Sequence, residues 1–83
     1  MGDAERAMLE LGGQRAAAFV VKHLRRYGHS PGDSAFRGTA SAMLEQRVMQ
    51  YGLKGEGRAV WLASAIRHVG ELVVGLGTGK GER

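Results

Sequence analysis

Eighty-three residues with 12 lysines and arginines against 8 aspartates and glutamates, and with no cysteine, make one small domain of net charge +4. A chain this short buries only about 60–65% of the surface its unfolded form exposes, and without cysteine it has no disulfides, thiolate chemistry or zinc–thiolate sites to stiffen it. A content of 43% hydrophobic and 24% charged residues belongs to a folding sequence, so the core, or association between copies, must supply the stability.

The first helical pattern runs from about Asp3 to Tyr27. Leu9, Ala16, Ala17, Val20, Leu24 and Tyr27 form its apolar stripe, and Arg15, Lys22, Arg25 and Arg26 cluster on the other side. Gly12-Gly13 interrupts the pattern as a kink, a break between two helices, or a point where another backbone packs closely. Gly28 then supplies a stop, and Ser30-Pro31 followed by Asp33 predicts that a second helix starts near Pro31 or Ser34. Its apolar face is Phe36, Ala40, Met43, Leu44 and Tyr51, and it ends around Gly52.

Arg47 falls inside that apolar stripe. Burying an unpaired guanidinium is very costly, so Arg47 is expected to snorkel outward, to pair with Glu10 or Glu56, or to mark a change to extended structure near Val48–Tyr51.

After the glycine-rich break Lys54–Gly57, a third helix is predicted from Arg58 to about Val74. Ala59, Leu62, Ile66, Val69 and Val73 suffice for one buried face, while Trp61, Ala65, His68 and Leu72 form an adjoining stripe. The surplus predicts either a subunit or partner interface through Trp61, Ala65, His68 and Leu72, or a central helix buried on several sides. Residues 77–83 read as a flexible basic glycine-rich tail behind a helical domain of residues 1–76. The predicted fold is all-α, a three-helix bundle, or a four-helix one if Gly12-Gly13 divides the first helix. The alternative is a mixed α/β fold with strands at Ala7–Leu11 and Val48–Leu53.

Motifs for catalysis are missing. Val74–Gly81 lacks the glycine six residues before Lys80 and the Ser or Thr after it that a phosphate loop requires. His23, His29 and His68 have no metal-ligand spacing, and no serine or acid pair sits in a catalytic context. The segment Leu53–Val60 resembles the strand-to-helix junction of Alba-type archaeal chromatin and RNA-binding proteins, in which a glycine-arginine-alanine step, here Gly57-Arg58-Ala59, opens a helix. Where that family has a nucleic-acid-contacting lysine, this chain has Trp61 and Leu62.

The expectation is therefore a binding protein, not an enzyme, with no cofactor, metal or small-molecule substrate. Arg15, Lys22, Arg25 and Arg26, helped by Arg58 and Lys80, would neutralise the phosphate backbone of a nucleic acid without reading sequence, while the third helix joins copies into a homo-oligomer. The alternative is a small adaptor or inhibitor, of the kind encoded by viruses or mobile elements, that docks on an acidic protein surface. No unbroken apolar run approaches the roughly 18–20 residues of a membrane span, and Met1–Arg6 is mixed in charge. No membrane partner is expected, and the location expected is cytoplasmic or virion-associated.

Overall fold

In the computed structural model, Asp3–Arg26 form α1, Phe36–Tyr51 form α2 and Gly55–Gly81 form α3. The structure describes the backbone of residues 1–81 and the side chains of residues 1–76. The first two helices stop for the same reason. Gly28 (φ 92°) and Gly52 (φ 68°) adopt the left-handed conformation, and in each case two backbone N–H groups turn back onto the helix's last carbonyls. Gly28 N–H donates to Arg25 O and His29 N–H to Leu24 O, while Gly52 N–H donates to Met49 O and Leu53 N–H to Val48 O.

Asp3 and Glu5 lie in the first turn of α1, and His23, Arg25 and Arg26 in its last, each sign at the end of the macrodipole that favours it. The link to α2 is a turn in which Asp33 N–H donates to Ser30 O, and the Asp33 carboxylate accepts the N–H of Ala35 at 3.2 Å. Pro31 is thus spent on the turn, and α2 begins at Phe36, later than its sequence predicts.

Helix α2 runs antiparallel to both neighbours, which places α1 and α3 side by side and parallel. Leu9 lies by Gly57, Gly13 by Trp61 and Ala65, and Val21 by Leu72. Gly13 explains the closeness of this seam. A Cβ built there would stand 2.4 Å from the carbonyl oxygen of Trp61 and 3.0 Å from the amide nitrogen of Ala65, so the crossing exists only because this position has no side chain. Of the three sequence readings of Gly12-Gly13, the close approach is correct; α1 passes through both glycines unbroken. Ala17 is buried one turn on, and the Ser64 hydroxyl donates a 2.7 Å hydrogen bond to Glu10 O across the seam.

The core comprises Ala16, Ala17, Val20, Val21 and Leu24 of α1, Phe36, Ala40, Leu44 and Val48 of α2, and Trp61, Ala65 and Val69 of α3. In α2 the i, i+4 row shifts the buried face from the predicted Met43 and Tyr51 toward Val48; Met43 is half-buried and Tyr51 exposed. In α3 the shift is larger. Ala59 and Ile66 of the predicted core face are exposed, and Trp61 and Ala65, from the stripe offered as an interface, are buried.

The ends of α3 also differ from expectation. It starts at Gly55 and continues to Gly81, through the first part of the stretch read as a flexible tail. Its Gly55–Leu76 segment is long and apolar enough to cross a membrane by length and composition, with a mean hydropathy of 1.4. It contains no unbroken apolar run of that length because Arg67, His68 and Glu71 interrupt the sequence. Those same polar groups at mid-helix would be expensive in a bilayer.

Candidate nucleic-acid interface

Phe19, His23 and Tyr27 follow one another at i, i+4 spacing along α1, which stacks side chains one helical turn apart. The Phe19 and His23 ring centroids are 6.0 Å apart and nearly parallel, and those of His23 and Tyr27 are 4.7 Å apart. Arg47 extends the row onto α2. Its guanidinium carbon lies 4.6 Å from the Phe19 ring centroid, within the range of a cation–π contact, and its Nη1 donates to the Tyr51 hydroxyl at 3.1 Å. Tyr51 in turn meets Trp61 edge-on at 6.0 Å.

The result is a continuous row, Tyr27, His23, Phe19, Arg47, Tyr51, Trp61, that crosses all three helices. Its ends differ in access: Tyr27 is 68%, Tyr51 55% and Phe19 51% exposed, whereas Trp61 is 4% exposed and forms the floor.

This arrangement resolves the placement of Arg47. The residue stays helical and half-buried, and it pairs with neither predicted acid; Glu56 pairs with Arg6 instead, at 3.5 Å. A π face and a phenol oxygen take the place of a carboxylate, so the guanidinium keeps most of its donors for other partners. Around it, Gly12, Arg15, Ala16, Phe19, Tyr51 and Trp61 line a groove of ≈ 380 Å³. That groove shares Gly12, Tyr51 and Trp61 with a wider apolar cleft of ≈ 640 Å³ that continues past Leu9 and Leu53 to Met8 and Glu5.

The predicted basic residues fall into three places. Arg15, Lys22, Arg25 and Arg26 are all exposed on α1, and none is within ion-pair distance of a carboxylate among the described residues. Arg15 shares the aromatic groove with Arg47, while Lys22 and Arg25 flank a second groove against Leu72 and Leu76 of α3. Arg58 does not join them. It lies on the α2–α3 side and donates to the Glu45 carboxylate at 3.1 Å. The side chain of Lys80 lies outside the described residues.

The apolar site predicted on α3 is also divided. Trp61 and Ala65 are core residues against α1, His68 is half-buried with Nδ1 3.4 Å from Glu71, and Leu72 is half-buried under α1. Burial on several sides is therefore the correct account of Trp61 and Ala65, because Gly13 opens the slot they occupy.

Sequence reasoning passed over Phe19, His23, Tyr27 and Tyr51 as a group and gave Arg47 no aromatic partner. The i, i+4 spacing of the first three was a readable signal, but the approach of Arg47 to Phe19 depends on how α2 packs on α1. No protein-family model, curated protein or solved structure matches this chain.

Proposed function

We propose that this chain is a nucleic-acid-binding protein that grips the phosphate backbone without reading base sequence. The observation that carries the reading is the exposed set Arg15, Lys22, Arg25 and Arg26, free of carboxylate partners among the described residues, with Arg15 lining a groove that holds a further arginine, Arg47, and Lys22 and Arg25 flanking the groove against α3. Arg25 and Arg26 also offset the α1 macrodipole. Arg15 and Lys22 lie away from that end and have no such structural duty.

In the packaging form of the proposal, copies associate through the outward side of α3, where Ile66 and Val74 are exposed. A salt titration tests the phosphate grip. Binding is expected at about 50 mM salt and to weaken steeply as salt rises, with a log–log slope of roughly −0.7 to −0.9 per phosphate neutralised. No binding at low salt, or affinity indifferent to salt, overturns the reading. Light scattering with and without nucleic acid tests the association of copies.

The adaptor reading draws on one different observation, the ≈ 640 Å³ apolar cleft lined by Met8, Leu9, Leu53 and Trp61. A monomer that ignores polyanions at every salt concentration favours it.

A further inference from the structure

We infer that the preferred ligand is single-stranded nucleic acid, with unpaired bases resting on the exposed aromatic row of α1 and α2 while Arg15, Arg26 and Arg47 hold the adjoining phosphates. The inference rests on the nucleic-acid reading above and narrows its substrate class. Its ground is the alternation of aromatic faces and cations. Phe19, His23 and Tyr27 lie along one edge of α1, and Arg15 and Arg26 are on the same helix within a turn or two. Arg47 and Tyr51 face them across the groove.

A duplex has little use for such a row. Its bases are already stacked on one another, and phosphate contacts alone would leave the exposed surface of Tyr27, Tyr51 and Phe19, each more than half exposed, without a partner. A single strand offers both things the row can use, free π faces and a flexible line of phosphates. Every base has a π face, so this mode also agrees with the lack of sequence reading.

Geometry restricts where the bases sit. The ring centroids are 4.7 and 6.0 Å apart along α1, too close for a base to slide between two rings as a third layer. The Arg47 guanidinium covers one face of Phe19. A base can therefore stack chiefly on the terminal ring, Tyr27, while Phe19 and Tyr51 offer apolar contact at their exposed edges. Tyr27 is the terminal ring and the most open of the three.

The test compares three probes of equal phosphate count with the full chain: an oligothymidylate, an abasic deoxyribose-phosphate strand and a DNA duplex. The oligothymidylate should bind more tightly than either of the others. Tyr27→Ala should weaken oligothymidylate binding by about 5- to 150-fold, the range for losing a stacked base, and leave the abasic strand and the duplex unaffected. Tyr27→Phe keeps the ring and should retain native binding, which separates stacking from loss of the hydroxyl. Phe19→Leu, which keeps apolar bulk beside Arg47, should act in the same direction as Tyr27→Ala.

Equal affinity for the oligothymidylate and the abasic strand, or for single strand and duplex, overturns the inference while salt-dependent binding leaves the phosphate grip standing. Unchanged oligothymidylate binding in Tyr27→Ala and Phe19→Leu overturns it as well. No binding of any probe at low salt overturns both readings.

Discussion

The α1–α3 seam and the α1–α2 groove are built from opposite materials. The seam is made of residues with little or no side chain, Gly13, Ala17, Ser64 and Ala65, and brings two backbones almost into contact. The groove is made of large and polar side chains, Phe19, Arg47 and Tyr51, and stays open to solvent. Both run along the same helix, and they divide its work: the seam holds the fold in register, and the groove presents chemistry. Changes in the seam should therefore appear in stability, and changes in the groove chiefly in binding.

The sharpest attempt to break this division is Gly13→Ala. The added methyl would collide with the Trp61 carbonyl, a backbone group that cannot swing aside. Overpacking costs about 1–3 kcal/mol and occasionally more, and a loss at the top of that range, about 3 kcal/mol or more, is expected in chemical denaturation. A loss below about 1 kcal/mol would mean that the helices are less closely apposed.

Next in size is Ser64→Ala, which removes the 2.7 Å hydrogen bond to Glu10 O and should cost about 0.5–1.5 kcal/mol in the same measurement. On the groove side, Arg47→Ala loses one cation–π contact at a partly exposed site, about 0.5–1 kcal/mol. Its effect on nucleic-acid affinity should be the larger one, with the salt slope falling by about 0.7–0.9.

The smallest effect has the opposite sign. A methyl at Gly12 would meet only the edge of the Trp61 ring, 3.2 Å away, and that edge borders open groove into which it can shift. Alanine is favoured over glycine in a helix by up to about 1 kcal/mol. Gly12→Ala should thus raise the thermal midpoint slightly, whereas the same change one residue later should cost about 3 kcal/mol or more.

Those two adjacent glycines also show where the sequence could be read and where it could not. The C-terminal ends of α1 and α2 were legible from Gly28 and Gly52, because a stop signal is local chemistry. The start of α3 was not, since Gly55 and Gly57 looked like a break. The choice of buried stripe on α3 was not legible either. An apolar arc that includes both Ala59–Ile66 and Trp61–Ala65 tells only that some face is buried; the slot left by Gly13 on another helix decides which. Of the candidate site, the exposed charges of α1 were visible in advance. The aromatic partner of Arg47 was not, because hydropathy counts a guanidinium as an intruder in an apolar stripe and takes no account of a nearby π face.

The parallel pairing of α1 with α3 has a further consequence for how the chain reaches this state. Ser64 and Glu10, which meet across the seam, are 54 residues apart, and α2 must be traversed before they can meet. As the chain leaves the ribosome, α1 and α2 can touch early as an antiparallel pair, but the slot at Gly13 stays empty until Trp61, Ser64 and Ala65 of α3 have emerged. Final locking therefore waits on the distant partner, and the entropy of closing that long loop must be met before the seam contacts can form.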